Sequence, residues 1–317
     1  MIRAPEFWRH NGALAHLLAP LGAVTASITA RRVARAGYDC GVPVVCVGNA
    51  GVGGAGKTIL ALHILAQYAA RGARPFALTR GHGGSLRGPV SVEPGRHDAT
   101  AIGDEALLLT ASAPTVVARD RAAGARLAVA SGATMIVMDD GLQNPGLTRT
   151  VSILTVDGGA GFGNGRCLPA GPLREPVAAA AARCACAVLI GPDRAGARAL
   201  LPRSLPVLTA SLHGSCSTAL AGERVIGFAG IGRPGKFFAT LRDLGAEIVE
   251  TVGFPDHHVY RPRDLTRLDA LARQHHAILA TTEKDAVKLP AGFLARCAVV
   301  TVDLVFDDPA GLERFLP

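Results

Sequence analysis

The sequence predicts an α/β fold, a mostly parallel sheet flanked by helices, with a second, smaller α/β domain and an N-terminal amphipathic helix. Three observations carry that prediction. Short apolar runs of strand length alternate with helical patterns along most of the chain. The first of these runs leads through a glycine-rich turn straight into a helix, the order of a parallel β-α unit. The alternation resumes after a polar interruption, and 317 residues leave room for two domains at about 150 residues each.

The elements follow in chain order. Between residues 11 and 30, Leu14, Leu17, Leu18, Leu21, Val24 and Ile28 recur at spacings of three and four, one stripe of a helix that Pro20 interrupts. Arg31, Arg32 and Arg35 follow at once. This is the pattern of a segment lying in a membrane interface with cations near anionic headgroups. It is equally the pattern of a helix packed on its own protein. Residues 43–49 read as a buried strand and 57–70 as a helix. Further strands are expected at 75–79, 115–118, 134–138, 151–156 and 186–190, with helices at 104–111 and 121–130. The glycine- and proline-rich stretch 158–176 is too long for an ordinary connection, and such loops are usually functional. The polar segment 211–222 reads as a boundary. Beyond it come strands at 225–229, 277–281 and 299–302 and a helix at 237–244. The expected division is therefore an N-terminal segment 1–35, a first domain 36–212 and a second domain 213–317.

Composition narrows the function. Lys and Arg number 33 against 25 Asp and Glu, a net charge of +8, which calls for an anionic partner. Hydrophobic residues make up 49% and charged residues only 18%, which excludes disorder as the main description. The mean hydropathy of +0.29 is high for a water-soluble enzyme. Aromatic residues are 4% and no basic stripe interleaves with them, so stacking platforms for nucleic acid are lacking. The seven cysteines lack C-x-x-C spacing and read as reduced thiols, with Cys184 and Cys186 expected at alternately buried strand positions.

One motif carries chemistry by itself. Gly51, Val52, Gly53, Gly54, Ala55, Gly56, Lys57 and Thr58 spell G-x-x-x-x-G-K-[ST] between a strand and a helix, the P-loop of nucleoside triphosphatases. Glycines let backbone N–H groups turn around phosphate oxygens, Lys57 adds a point charge, and the Thr58 hydroxyl can ligate Mg²⁺. Asp139 and Asp140 end an apolar run before Gly141, the pattern of a metal-side carboxylate beside such a loop. The pair implies ATP and Mg²⁺ in phosphoryl transfer or nucleotide switching. The second glycine cluster, 158–165, lacks G-x-G-x-x-G spacing and leads into prolines, so it is not a second dinucleotide site.

Seven blocks in order, VGN to GVGGAGKT (47–58), GDE (103–105), DDGLQN (139–144), GNGRCLPAGPLREP (163–176), FAGIGRPGKFF (228–238), DHHVY (256–260) and TTEKDAVKL (281–289), give the chain its resemblance to the tetraacyldisaccharide 4'-kinases. The resemblance implies transfer of the ATP γ-phosphate to the 4'-hydroxyl of an acylated glucosamine disaccharide 1-phosphate. It further implies a peripheral or monotopic place on the anionic cytoplasmic face of the inner membrane; no nucleic acid is expected as a partner, and no obligate protein partner is evident. Asp104 is then the base that accepts the hydroxyl proton, with His257 orienting it or tuning its pKa from the second domain. Glu105 joins Thr58, Asp139 and Asp140 on the metal side. Arg174 and Glu175 either contact substrate phosphate or pair with each other. The chain departs from the family where Ala55 replaces threonine, Ile59 proline, His82 tyrosine and Asn144 histidine.

Other readings of the same residues stay open at this level. Asp104 and Glu105 resemble ordinary first-turn acids of a helix, and His257 and His258 resemble capping or surface groups. The DHH triplet also occurs in metal phosphoesterases, whose further Asp and His motifs are not evident here. Lys284, Asp285 and Lys288 suit a solvated helix start, a nucleotide contact or a domain interface. Thr282 to Asp285 approaches the guanine-reading loop of a P-loop GTPase or ATPase that acts in metalloenzyme maturation, the main alternative function.

Overall fold

The computed structural model describes residues 5–317; residues 1–4 of the expected N-terminal segment lie outside the described residues. Twelve strands join in one sheet among them. A short 3-10 turn, Glu6–Arg9, precedes α1 (Ala13–Leu17) and α2 (Ala19–Val33), which break at Leu18 with Pro20 in the first turn of α2. Then come β1 (Val44–Gly48), α3 (Lys57–Ala70), β2 (Pro75–Thr79), the two-residue β3 (Val90–Ser91), α4 (Ala99–Ile102), α5 (Asp104–Thr110), β4 (Thr115–Val117), α6 (Arg121–Ala130) and β5 (Met135–Asp139). β6 (Val151–Asp157), α7 (Val177–Ala181) and β7 (Cys186–Ile190) complete the first half-sheet. Cys186 opens β7, but Cys184 lies before it, so the two cysteines do not alternate along one strand.

In β1 the period of two is complete: Val45 and Val47 face the α3 side with Leu60, Ile64 and Leu65, while Val44 and Cys46 face the α6 side with Ala125 and Ala128. Burial on both faces is why this strand reads as one continuous apolar run. β1 lies between β5 and β6, so the chain winds away from it in both directions. The crevice at the carboxyl ends of such strands is where ligands bind in open α/β sheets.

The polar segment 211–222, expected as a domain boundary, is strand in its first half. β8 (Val207–Cys216) pairs parallel with β7 on one side and antiparallel with β12 (Cys297–Phe306) on the other. Position 213 therefore falls inside a two-stranded ribbon that joins the half-sheets. The second half adds β9 (Arg224–Ala229), α8 (Pro234–Asp243), β10 (Glu247–Gly253), α9 (Pro262–His275), β11 (Ile278–Thr282), α10 (Glu283–Ala286) and α11 (Ala291–Leu294), in the sheet order β10-β9-β11-β12. Because β8 and β12 are antiparallel, these strands run opposite to those of the first half. Their carboxyl ends nevertheless meet the first half, in the Arg233–Gly54 and His257–Asp104 contacts.

The N-terminal helix is docked by its small side. Gly22 lies so close to the 158–176 loop that a Cβ there would stand 2.8 Å from the Cys167 carbonyl, and the Thr29 hydroxyl donates to the Arg174 carbonyl at 3.0 Å. The large apolar side chains point outward: Leu14, Leu17, Leu21, Val24 and Ile28 are all about half exposed or more, Leu17 at 76%. Packing of this stripe on the protein itself, one of the two sequence readings, is thereby overturned. No helix of the described residues is long and apolar enough to cross a membrane.

Candidate active site

The phosphate loop leaves β1 and turns through Gly56 into α3. Gly56 has φ +81°, and a Cβ would stand 2.5 Å from Ile190 Cδ1, so only glycine fits there without strain. Among the described residues the backbone N–H groups of Gly53, Gly54, Ala55 and Gly56 have no hydrogen-bond partner, four successive donors available to phosphate oxygens. The loop is fastened from behind, where the Val52 N–H donates to the Pro172 carbonyl at 2.8 Å. Lys57 Nζ donates to Asn49 Oδ1 at 3.2 Å and to the Gly53 carbonyl at 3.3 Å, which folds its chain back over the cradle.

The two adjacent acids diverge. Asp139 is buried and accepts from the Thr58 hydroxyl at 3.1 Å through Oδ2, while its Oδ1 is buried without a partner. Burial first, and then the charges of Glu105 and Asp140, push its carboxyl well above the ordinary carboxylate range. A buried acid with an unpaired oxygen beside a threonine hydroxyl fits a divalent cation, which would restore the missing countercharge. Asp140 adopts a positive φ of 48° and turns the other way, to a two-toothed ion pair with Arg174 at 2.8 and 3.0 Å. Burial opposes its ionisation, yet Lys57 and Arg174 hold its carboxyl below the ordinary range. Glu175 does not pair with Arg174, as one sequence reading had it. It accepts from Arg183 at 2.7 Å and from Gln143 at 2.8 Å.

The third part comes from across the ribbon. Gly103 has φ +86°, and a Cβ would strike the His82 carbonyl; this tight turn delivers Asp104 into the interior, 3% exposed. The His257 Nδ1–H donates to both its oxygens at 2.8 and 2.9 Å. Lys284 Nζ stands 3.7 Å from Asp104, 3.6 Å from Glu105 and 3.9 Å from Asp256. Burial raises the Asp104 carboxyl, but the His257 hydrogen bond and Lys284 outweigh it and hold the group below its ordinary value. Asp104 and Glu105 are first-turn acids of α5, but Asp104 is committed to His257 rather than to solvent.

His257 and its neighbour have separate jobs. His258 hydrogen-bonds Asp264 at 2.9 Å and stacks on Phe254, fixing the start of α9, while His257 faces Asp104. Asp285 is fully buried, accepting from the Gly230 N–H and the Thr282 hydroxyl and pairing with Lys288 at 2.7 Å. It is therefore not presented as a guanine reader, which disfavours the switch alternative. His82, where the resemblance has tyrosine, keeps an aromatic edge on the His257 ring at 5.7 Å. Asn144 caps its own turn by accepting from the Gly146 N–H.

Several residues at the site escape sequence reasoning. Asn49 and Gln143 sit inside quoted motifs but carry no signal of their own. Asp157 had one, because it ends an apolar strand beside the phosphate loop just as Asp139 does. All four lysines, Lys57, Lys236, Lys284 and Lys288, pair with acids around this cleft. The other 29 basic residues are arginines, so lysine position alone outlines the site.

Known proteins similar to the chain belong to one family. A family model described as tetraacyldisaccharide-1-P 4'-kinase matches residues 14–317. The tetraacyldisaccharide 4'-kinase of Gluconacetobacter diazotrophicus is 53% identical over 318 residues, covering 99% of this chain and 97% of that one. The enzyme of that name from Rhodospirillum rubrum is 47% identical over 321 residues, with the same coverage. The crystal structure of LpxK from Aquifex aeolicus in complex with ATP superimposes with a TM-score of 0.77 at 25% identity, covering 95% of this chain and 98% of that one.

Proposed function

The chain belongs to the tetraacyldisaccharide-1-P 4'-kinase family, and on that premise we infer how its residues carry out the reaction. The protein is a phosphotransferase that moves the γ-phosphoryl group of ATP to the 4'-hydroxyl of tetraacyldisaccharide 1-phosphate, a step of lipid A biosynthesis. The observation that carries the mechanism is the Asp104–His257 pair held across the cleft from the Thr58–Asp139 pair.

The unpartnered amides of Gly53 to Gly56 and the Lys57 ammonium bind the phosphate chain. Thr58 and Asp139, with Glu105 across the cleft, would hold Mg²⁺, which when bound would neutralise charge on the phosphates. Asp140 is tied to Arg174, so its part is to fix Arg174 and Lys57 rather than to offer a free ligand oxygen. The Arg174 guanidinium, 28% exposed in its side chain, is open to an anionic group of the acceptor, whereas Glu175 is buried and braces the Gln143 and Arg183 side chains.

Asp104 accepts the proton of the 4'-hydroxyl as the oxygen bonds to the γ-phosphorus and the bond to ADP breaks. His257, donating through Nδ1, orients the carboxylate and spreads the charge change. The base comes from 36–212 and its orienter from 213–317, so the reacting pair exists only where the two lobes meet.

The acceptor is an acylated lipid, and the outward apolar stripe of α2 with Arg31, Arg32 and Arg35 at its end suits an anionic bilayer surface. We assign the protein to the cytoplasmic face of the inner membrane on that ground, as a peripheral or monotopic enzyme. The test is transfer of labelled phosphate from ATP to tetraacyldisaccharide 1-phosphate in detergent micelles. A lipid product carrying a new 4'-phosphate, lost on chelation of Mg²⁺, is expected. ATP hydrolysis indifferent to the lipid would sink the assignment.

A further inference from the structure

We propose that Arg233 is a positioning residue that couples the phosphate loop to the His257–Asp104 pair through the four-residue loop Gly230 to Arg233. The mechanism above makes no use of this loop, yet it touches both reacting halves. At one end Arg233 Nη2 donates to the Gly54 carbonyl at 2.5 Å and forms an ion pair with Asp157 Oδ2 at 3.0 Å. Lys236 binds the same carboxylate oxygen at 2.5 Å. The other oxygen of Asp157 accepts from the Gly159 and Ala160 N–H groups at 2.8 and 3.0 Å, so the acid is fixed before it receives the arginine.

The contact with Gly54 has a definite consequence for the cradle. In a planar trans peptide the C=O and the following N–H point to opposite sides. Holding the Gly54 carbonyl toward the second lobe therefore turns the Ala55 N–H the other way, among the unpartnered amides that receive phosphate. Both contacts are made by Arg233 Nη2, so one nitrogen ties the phosphate-loop carbonyl to the Asp157 carboxylate.

At its other end the loop holds the acceptor side. The Gly230 N–H donates to Asp285 Oδ2 at 2.9 Å, and the Gly230 carbonyl accepts from the His257 N–H at 3.1 Å. His257 is held at φ +58°, a conformation a non-glycine residue keeps only when its surroundings impose it. A Cβ on Gly232 would stand 3.3 Å from Asp256 Oδ2, so the loop lies directly against the strand of chain that carries His257. Movement of the Gly54 peptide on nucleotide binding is thereby transmitted over one short, twice-anchored loop to the partner of the base.

The kinetic arm of the test rests on the kinase reading; the binding arm does not. In the full chain, the ring NMR signals of His257, assigned with His257→Asn, are followed while a non-hydrolysable ATP analogue with Mg²⁺ is added. The wild-type ring signals shift. In Arg233→Met the analogue binds within about 3-fold of wild type but the His257 signals stay in place. In turnover, Arg233→Met lowers kcat about 10-fold with little change in KM for ATP, and costs under about 3-fold in a His257→Ala background, the non-additivity expected of coupled residues. Asp157→Asn, which frees the arginine without touching the phosphate loop, shows the same pattern and serves if Arg233→Met does not fold. An unchanged His257 shift in these variants, no shift in wild type, a pure KM effect or additive losses would each overturn the coupling. A chain with the His257 shift that leaves the lipid unphosphorylated would instead sink the kinase reading.

Discussion

Replacing Asp104 by Asn separates chemistry from folding, because the structure gives the two very different magnitudes. Asn keeps an oxygen for the His257 Nδ1–H but cannot take up the hydroxyl proton. General-base catalysis contributes about 10²- to 10⁴-fold, about 2.7–5.5 kcal/mol of barrier at ~1.36 kcal/mol per tenfold. The stability cost is smaller, since no buried cation loses its last partner. Lys284 keeps Glu105 at 3.6 Å and Asp256 at 3.9 Å, and Lys288 keeps Asp285 at 2.7 Å. What remains is one weakened hydrogen bond, about 1 kcal/mol. Nucleotide binding is kept, because Asp104 makes no contact with residues 51–58. The assay is steady-state phosphorylation of the lipid acceptor beside calorimetric titration with an ATP analogue and thermal unfolding of the same preparation. Turnover within about 3-fold of wild type would refute the base assignment, general-base loss being at least 10²-fold. Loss of nucleotide affinity in parallel with turnover would refute the division of labour between Asp104 and the phosphate loop.

Three further outcomes follow from the packing. Gly56→Ala places a methyl 2.5 Å from Ile190 Cδ1 at φ +81°, so it lowers both Tm and ATP affinity. Adding Ile190→Ala relieves the clash but leaves the backbone strain of about 1–2 kcal/mol, and full recovery would contradict this account. Exchanging Leu17, Leu21, Val24 and Ile28 for serine removes co-sedimentation with anionic vesicles. It moves stability by under about 0.5 kcal/mol per site, as for exposed side chains generally; a large fall in Tm would mean the stripe packs on the protein. Finally, burial raises the Asp157 carboxyl, but its hydrogen bond from Lys236 and the Arg233 charge hold it below the ordinary range. A depressed carboxylate stabilises the fold above its unfolded value, about 3.9, and that contribution is lost as pH falls through the folded value. Asp157→Asn therefore lowers Tm at pH 7 and flattens its decline toward pH 3, as read by calorimetry; parallel wild-type and variant curves would show that the ion pairs contribute nothing.

Local chemistry was legible in the sequence. The strand before the phosphate loop, the helix after it over 57–70, the strand at 75–79 and the helix at 121–130 fall where periodicity and glycine spacing put them, because those signals act over a few residues. The acids at the end of the 135–139 strand were legible for the same reason. β8 and β10 were missed because a ribbon strand and an edge strand are half solvated, and their polar residues hide an alternation that only pairing reveals. The helix α9 was missed as well, being strongly charged and burying only Leu268 fully.

What the sequence by itself determined is the inventory: a phosphate cradle, two metal-side acids, an acid at a helix start, a histidine pair and an apolar stripe. Only the tertiary structure decided how they divide. It turned Asp139 to Thr58 and Asp140 to Arg174, gave His257 to Asp104 and His258 to a helix cap, and faced the apolar stripe outward. The reason is distance along the chain. Asp104 and His257 are 153 positions apart, and no local preference can express a contact that exists only once the β8–β12 pairing has joined the two half-sheets.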